Sequence, residues 1–361
     1  PSSQTADAAA SLSLDFVLAA MDAAMPYRPA PGKQSGKIRV GDNYYLYDLP
    51  EGYDPGLAWP LIVSLHGNPP RHCERVHNKY WRKEPAARGF ILISPNLDGG
   101  RWHRREAAPV LFAALHDAVT RFHVDWSAIY LNGYSAGGSG TWVLGTRYAD
   151  LFAALVVRCG IRKVSNRELK NLKGKGVFII HAAKDSKCPV GQAREAARQL
   201  KRYGIKHVYK EYPGEHDFYW DANQEIMDFL SGFNNPSPSS FEIHSRFSKA
   251  QRMVHFVGIS GKEHTLEGKM ADNRISVSVS NLADVKQLDL FFSPSVMDFA
   301  KPVSVVVNGE SFKVSARPDG RAFVKGWLLY PFFRKADGAR VFTGGCTVVR
   351  EGKILASPEL F

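Results

Sequence analysis

The sequence lacks the long apolar run that a membrane-spanning helix needs, which is about 18–20 residues. Its hydrophobic residues make up 44% of the chain but are divided into short segments. The sequence therefore predicts no membrane span. The chain opens with the polar, small-residue segment Pro1–Asp7, without an initiator Met or the layered regions of a signal peptide. We expect a mature or trimmed chain that is secreted or periplasmic, and a cytoplasmic location stays open.

Cysteine is scarce, and none of the four residues forms a Cys-x-x-Cys pair. That absence excludes a zinc ribbon and a thioredoxin-like motif. Metal-ligand residue types do occur over residues 71–77, but His72 and His77 are five positions apart and off helical register. We predict no metal site and no cofactor. Spacing alone leaves disulfide pairing and the redox compartment open.

The sequence also lacks a dense block of charge of one sign. Residues 1–235 carry 30 Lys and Arg against 23 Asp and Glu, and residues 236–361 carry 17 against 12. A nucleic-acid-binding surface normally concentrates its cations on one element. The even spread of the net charge of +12 predicts no nucleic-acid partner, although a mildly basic surface can favour anionic substrates.

What the sequence does contain is a series of short apolar runs, each ended by turn residues. They span residues 61–65, 90–93, 129–131, 155–157 and 177–180. Continuous runs rich in β-branched residues are typical of strands buried on both faces of a parallel sheet. Helical patterns such as 108–122 and 192–203 lie between the runs. The alternation predicts an α/β fold with a doubly wound, mostly parallel sheet.

The pattern changes after Phe233. Residues 234–240 form an Asn-, Pro- and Ser-rich linker, beyond which segments such as 275–279 and 303–307 alternate with period two. Turn signals such as Asn308-Gly309 separate them, which predicts a small all-β sandwich. We therefore divide the chain into an N-terminal lead with a helix over 11–25 (1–35), an α/β domain (36–235) and a C-terminal β-sandwich accessory domain (241–361).

The most informative segment is Gly133-x-Ser135-x-Gly137, which follows a strand and precedes a helical pattern. A serine on such a tight strand-to-helix turn needs glycine neighbours, because bulkier side chains would collide with the strand and the helix. The turn also directs the Ala136 amide at a developing oxyanion. We predict that Ser135 is a nucleophile. A glycine-rich helix start with an incidental serine is the alternative.

The second oxyanion amide is expected from the turn Leu65–Pro70, directly after the earliest central strand. Pro69 and Pro70 have no N–H, so Gly67 or Asn68 must supply it, and we favour Asn68. His66 is expected to orient this turn.

Two later segments supply partners for Ser135 in the order Ser, Asp, His. Asp185 comes just past a late strand, where a carboxylate can hold the tautomer of a catalytic histidine. A surface salt bridge with a flanking lysine is the alternative. His216 lies in a Gly-containing loop beyond the last strand of the α/β pattern, from which it can act as general base. We predict a triad of Ser135, Asp185 and His216.

Three aromatic residues near these segments are candidate substrate contacts. Trp102, in the loop Gly99–Arg105, could stack on a sugar or aryl ring, while a solvated basic loop is the alternative. Tyr134 beside the serine and Trp220 after His216 could line an acyl pocket or pack beneath it.

Residues 37–232 resemble α/β-hydrolase esterases. The branch includes feruloyl and acetylxylan esterases, polyhydroxybutyrate-depolymerase-like proteins and phospholipase/carboxylesterases. The matching pieces are Leu65-His66-Gly67, the stretch Gly133–Gly138, Tyr148–Phe152, Asp185 and Gly214–Asp217. The C-terminal part more loosely resembles β-domains attached to hydrolases of planctomycete-type bacteria.

The resemblance implies a cofactor-free serine esterase that acts through an acyl-enzyme on small-molecule or polymeric esters. Carbohydrate-linked acetyl or feruloyl esters, hence a polysaccharide partner, and polyesters are the candidate substrates. Two alternatives stay open: a prolyl-oligopeptidase-like serine peptidase, and a non-catalytic binding protein with a vestigial triad.

Overall fold

The computed structural model describes most of the chain after residue 32. The described residues are 33–68, 72–99, 101–235, 240–245, 249–251, 254–258, 263–292, 297–298, 300–314, 344–350 and 353–360. The helix expected over residues 11–25 lies outside this part. The chain forms two compact units, one within residues 27–236 and one within residues 237–361.

The first unit is built on an eight-stranded sheet of order β1-β2-β4-β3-β5-β6-β7-β8. Its strands are β1 (Ser35–Val40), β2 (Asn43–Asp48), β3 (Trp59–Leu65), β4 (Ile91–Pro95), β5 (Val124–Tyr134), β6 (Ala154–Arg158), β7 (Gly176–Ala182) and β8 (His207–Tyr212). The hairpin β1–β2 joins β4 antiparallel, and all other pairs are parallel. The predicted doubly wound, mostly parallel sheet is confirmed.

The central strands are buried along their length because their apolar side chains face helices on both sides of the sheet. Every residue of β4, β6 and β7 is buried. Strand β3 lies between β4 and β5, so the chain changes direction of travel across the sheet at this point. In open α/β sheets, ligands bind beyond the carboxyl ends of the strands next to such a switch.

The helices connect these strands. They are α1 (His72–Glu74), α2 (Glu84–Ala87), α3 (Ala107–Arg121), α4 (Ala136–Arg147), α5 (Gly191–Arg202) and α6 (Asn223–Ser231). A π-helical turn covers Arg75–Tyr80, and 3₁₀ turns cover Ala149–Leu151, Glu168–Leu172 and Trp220–Ala222. The helices expected over 108–122 and 192–203 correspond to α3 and α5. None of the described helices combines the length and apolar character needed to cross a membrane.

The second unit contains two five-stranded sheets, of orders β10-β11-β14-β17-β18 and β16-β15-β13-β12-β9. The strands are β9 (Ser240–Ser245), β10 (Lys249–Gln251), β11 (Val254–Gly258), β12 (His264–Ala271), β13 (Arg274–Val279), β14 (Val285–Phe292), β15 (Val303–Val307), β16 (Glu310–Val314), β17 (Gly344–Arg350) and β18 (Lys353–Leu360). The all-β character expected for this part is confirmed.

The turn signal Asn308-Gly309 lies between β15 and β16, which pair antiparallel. Both residues have positive φ, 47° and 93°, as a tight hairpin of this kind requires. The two-residue turn therefore fixes the register of this hairpin.

All four cysteines are buried, unpaired thiols. Burial raises the pKa of Cys159 and Cys346 to about 12 and that of Cys188 to about 11. These side chains are therefore neutral at physiological pH and pack as small apolar groups.

Candidate active site

Ser135 occupies a sharp turn between the end of β5 and the start of α4. Its φ of 56° and ψ of −115° are rarely adopted by a residue with a side chain. Such a conformation costs roughly 1–3 kcal/mol and persists only where the surroundings impose it. The amide of Ser135 donates to the Arg158 carbonyl at 2.9 Å, and the Ser135 carbonyl accepts from the Ser139 amide at 2.9 Å. These two bonds hold the turn.

The glycines on either side of Ser135 are required by space. A Cβ on Gly133 would lie 2.2 Å from the Gly137 carbonyl oxygen, and one on Gly137 would lie 2.0 Å from the Leu65 carbonyl oxygen. Both distances are far below van der Waals contact with backbone atoms. Strand β3, strand β5 and helix α4 can therefore meet this closely only around glycine.

Ser135, His216 and Asp185 form one hydrogen-bonded chain. The His216 Nε2 lies 2.9 Å from the Ser135 Oγ, and its Nδ1 lies 2.7 Å from the Asp185 Oδ2. The three residues follow β5, β8 and β7, whose carboxyl ends lie at the same edge of the sheet. The arrangement allows His216 to accept a proton from Ser135 while Asp185 stabilises the resulting imidazolium.

Asp185 is held as a carboxylate by its hydrogen bonds. Burial by itself would raise its pKa, but bonds from His216 and from the amides of Cys188 and Lys187 together lower the pKa below its usual value. The two amides donate to Oδ1 at 2.7 Å and 2.9 Å, which leaves Oδ2 for His216. An ionised Asp185 favours the His216 tautomer with hydrogen on Nδ1, so that Nε2 presents a lone pair to Ser135.

A second imidazole, that of His181 on β7, braces the Asp185 turn. His181 is fully buried, and its Nε2 donates to the Cys188 carbonyl at 2.7 Å while lying 3.5 Å from the Asp185 Oδ2. This contact supports the expectation that His181 is a core residue.

The oxyanion side of the site is formed by α4 and the turn after β3. Ala136 begins α4, and Asn68 is exposed beside the buried Gly67. A Cβ built on Gly67 would lie 3.0 Å from the Ser135 Cβ, so this turn borders the serine. Residues 69–71 lie outside the described part, and the donor roles of Asn68 and Ala136 stay predictions.

His66 fixes the conformation of that turn. Its Nδ1 donates to the Gly67 carbonyl at 2.7 Å, and its Nε2 accepts from the Leu97 amide at 3.1 Å. Both bonds together require a neutral ring, and burial lowers the pKa of His66 to about 4. His66 therefore links the turn after β3 to the loop after β4, which agrees with the orienting role expected for it.

His72 is a second histidine close to Ser135, which sequence reasoning considered only as a metal ligand. Its Nδ1 lies 3.0 Å from the point where a Gly67 Cβ would be, and the Ser135 Cβ is equally close to that point. At most twice that distance therefore separates the two atoms. His72 is 7% exposed, and within the described residues its Nδ1 makes no hydrogen bond. Its location depends on how the chain turns after β3, which no sequence spacing reveals.

The electrostatic surroundings keep His72 neutral. Burial is the largest influence that lowers its pKa; the Gly67 carbonyl acts in the opposite direction, and Arg75 and His216 lower the pKa further. Its ring contacts that of Tyr134, with centroids 5.7 Å apart. His72 is thus a neutral imidazole within the wall of the site.

Arg158, the last residue of β6, is a fully buried guanidinium behind the nucleophile. The sequence contains a signal for it, a charged residue at the end of an otherwise apolar strand, but spacing assigns it no partner. Its guanidinium donates to the Asn132 Oδ1 at 3.1 Å, the Asn223 Oδ1 at 2.7 Å, and the carbonyls of Phe218 and Tyr219, both at 3.0 Å.

These bonds join the two halves of the site. The carbonyls of Phe218 and Tyr219 belong to the loop that carries His216, whereas Asn132 belongs to β5, which carries Ser135. Burial lowers the pKa of Arg158 to about 9, so the side chain is still a cation at neutral pH. Arg158 therefore fixes the loop of the base relative to the strand of the nucleophile.

The position of Trp102 corrects one prediction. Its ring is fully buried and lies edge-on to His66, with centroids 5.5 Å apart, and its Cβ lies against Gly140. The expectation that Trp102 stacks on a substrate ring is wrong for this structure, because the loop folds back and places the indole in the core.

The two other predicted substrate contacts differ in accessibility. Tyr134 is 6% exposed, and its ring lies 5.2 Å from that of His216, centroid to centroid. It packs against the base and presents little surface to a ligand. Trp220 is 45% exposed, with the Arg82 guanidinium 4.5 Å over its ring, so it is accessible to a bound molecule.

Among the described residues, Cys159, Asp185 and His216 bring metal-ligand atoms within 4.8 Å of one another. The hydrogen bond between Asp185 and His216 already uses two of these groups, and the Cys159 thiol is neutral because burial raises its pKa. The donor set is thus engaged in holding the base. The absence of a metal site stays a prediction.

Comparisons with known proteins agree with the esterase resemblance. The sequence model of the dienelactone hydrolase family matches residues 95–256, which include Ser135, Asp185 and His216. The chain is 28% identical over 137 residues to a probable feruloyl esterase C of Aspergillus clavatus, covering 36% of this chain and 50% of that protein. It is 27% identical over 155 residues to acetylxylan esterase A of Emericella nidulans, covering 37% and 48%. The predicted similarity to feruloyl and acetylxylan esterases is thereby confirmed.

A peptidase is also among the similar proteins. Dipeptidyl-peptidase 5 of Aspergillus fumigatus is 23% identical over 226 residues, covering 49% of this chain and 31% of that protein. The chain spans about half the length of the esterases that it matches.

Proposed function

We propose that this chain is a serine esterase that hydrolyses carboxylic esters through an acyl-enzyme. The observation that carries the proposal is the continuous hydrogen-bonded chain from Asp185 through His216 to Ser135. Its three members stand at one edge of a parallel sheet, on the turn and loops where a nucleophile, an acid and a base can converge. The similarity to feruloyl and acetylxylan esterases supports an ester as substrate.

In the first half-reaction, the His216 Nε2 accepts the Ser135 hydroxyl proton as Oγ attacks the ester carbonyl. The amide of Ala136, and as second donor that of Asn68, stabilises the tetrahedral oxyanion. The C–O bond to the alcohol then breaks, and His216 returns the proton to the leaving alcohol. In the second half-reaction His216 deprotonates a water, which attacks the acyl group and releases the acid and a free serine.

The test compares the parent protein with Ser135→Ala in hydrolysis of p-nitrophenyl acetate and in labelling by a fluorophosphonate probe. We expect kcat to fall by roughly 10⁴–10⁶ and labelling to disappear. Ser231→Ala, which removes an exposed hydroxyl of α6, is the matched control and should behave like the parent. Unchanged hydrolysis in Ser135→Ala would refute the assignment.

Two alternatives have distinct outcomes in the same assays. A serine peptidase, favoured by the similarity to dipeptidyl-peptidase 5, would cleave peptide p-nitroanilides faster than matched esters. A binding protein with a vestigial triad would neither label nor turn over either substrate. The intact hydrogen bonds of the triad favour an active enzyme.

For the whole protein, we propose an α/β-hydrolase domain over residues 36–235 and an accessory β-domain over residues 241–361. Acetyl or feruloyl esters on a polysaccharide, or a polyester, are the proposed substrates, and export from the cytoplasm fits such a polymer. Deleting residues 236–361 should lower turnover of the polymer more than that of a soluble ester if the β-domain binds the polymer. Equal losses would instead indicate a structural role.

A further inference from the structure

Two loops that leave the sheet at the edge of Ser135 carry exposed cations. One follows β4 and contains Arg101 and Arg104, and the other follows β6 and contains Lys163; all three side chains are exposed. Because β4, β5 and β6 run in the same direction, both loops start at the edge of the sheet from which Ser135 projects.

Packing contacts bring both loops to the start of α4, directly after the nucleophile. The Cβ of Trp102 is so close to Gly140 that a Cβ there would lie 2.2 Å from it. From the other loop, the Ile161 amide donates to the Ser139 Oγ at 2.9 Å. Since Ser139 and Gly140 lie four and five residues after Ser135, the cations flank the helix start that faces the oxyanion.

The three positive charges converge on one side chain. His103 lies between Arg101 and Arg104 in sequence, and its pKa is lowered first by burial and then by Lys163, Arg104 and Arg101. In the described part of the chain, the His103 Nδ1 is buried without a hydrogen-bond partner. The ion pairs of the described residues involve none of the three cations. We call Arg101, Arg104 and Lys163 the cationic cluster.

We propose that the cationic cluster is an anion-binding subsite, which makes esters bearing a carboxylate the preferred substrates. The proposal rests on the proposed esterase function and names its substrate class. Several cations without counter-ions beside a reaction site raise the local concentration of an anionic substrate, by about 10-fold or more at low ionic strength. Arginine additionally provides paired donors that match a carboxylate.

The test uses pairs of esters that differ only in charge. p-Nitrophenyl hydrogen succinate and its methyl ester place the carboxylate on the acyl side. 4-Acetoxybenzoate and its methyl ester place it on the leaving group. For each pair, the ratio of kcat/KM for the anionic ester over the neutral ester is measured at low and high NaCl.

We expect the anionic member of at least one pair to be preferred, with a ratio that decreases as salt screens the charges. Reversing the cationic cluster (Arg101→Glu, Arg104→Glu and Lys163→Glu together) should lower that ratio about 10-fold or more. Hydrolysis of the neutral esters should change by less than about 2-fold, because none of the three side chains belongs to the triad.

The matched control reverses three exposed cations, Lys201, Arg202 and Lys206, with the same change in net charge. This segment enters β8 and therefore lies at the opposite edge of the sheet. If the control lowers the ratio as much as the cluster variant does, or if the cluster variant leaves the ratio unchanged, the subsite is refuted while the esterase function stands. If the parent protein cleaves neither member of either pair, the esterase function fails and the subsite with it.

Discussion

Replacing Arg158 by methionine should separate the alignment of the active site from its chemistry. Methionine retains much of the apolar stem but none of the donors, so the carbonyls of Phe218 and Tyr219 lose their partners in the protein interior. Each buried acceptor left without a donor costs about 1–3 kcal/mol. Removing a cation whose pKa burial has lowered to about 9 offsets part of that loss. We expect Arg158→Met to lower the free energy of unfolding by about 2–4 kcal/mol.

The effect on catalysis follows from the loop that carries His216. With its carbonyls unanchored, this loop can move relative to Ser135, and a displacement of about 1 Å costs on the order of 10²-fold in rate. The change should fall on kcat, with KM for a small ester nearly unchanged, because Arg158 is buried and does not reach the substrate. Arg158→Lys keeps the charge but cannot span four acceptors, so it should give an intermediate loss.

The assay combines urea unfolding with p-nitrophenyl acetate kinetics under conditions where each variant is fully folded. Arg162→Met is the control, because this half-buried arginine donates to the Val164 carbonyl of its own loop and to neither half of the triad. A folded Arg158→Met with the parent kcat would refute the positioning role. A kcat loss of equal size in Arg162→Met would show that the effect is not specific to Arg158.

Three further predictions concern the same edge of the sheet. Asp185→Asn should lower kcat for p-nitrophenyl acetate by about 10⁴-fold while the protein stays folded, because the amide favours the wrong His216 tautomer. His72→Phe keeps an aromatic ring but removes Nδ1 beside Ser135; we expect kcat to fall about 10²-fold at unchanged KM if this nitrogen serves the oxyanion, and a parent-like kcat would exclude that role. His66, with its pKa lowered to about 4, should make the fold acid-sensitive, because the unfolded chain takes up this proton first as the pH falls from 6.5. Urea titrations should therefore show up to about 3 kcal/mol of stability lost between those values, and a much flatter curve for His66→Gln.

Periodicity predicted the elements of the first unit well where burial is complete. The strands β3 to β7 read as continuous apolar runs because both of their faces are covered, and α3 and α5 show one apolar stripe each. Strand β1 was not anticipated. Its Lys37 and Arg39 belong to an edge strand, where one side of the strand faces water and charges are tolerated.

The partners of Ser135 could be inferred because their positions follow from topology. Parallel strands bring their carboxyl ends to one edge, so a serine, an aspartate and a histidine that follow three such strands must converge. Residues that reach the site by the packing of side chains could not be inferred in this way. Trp102 was expected at the surface, yet the space beside Gly140 accommodates it in the interior. His72 and Arg158 join the site through contacts between loops, which leave no regular spacing in the sequence.

The four buried thiols give this protein a set of built-in probes of local unfolding. Only an exposed thiolate reacts rapidly with an alkylating reagent, so each cysteine stays silent until its surroundings open. Cys73, Cys159 and Cys188 report on the first unit, whereas Cys346 reports on the second. Alkylation followed by mass spectrometry at increasing denaturant would therefore yield a separate opening free energy for each unit, without any introduced label.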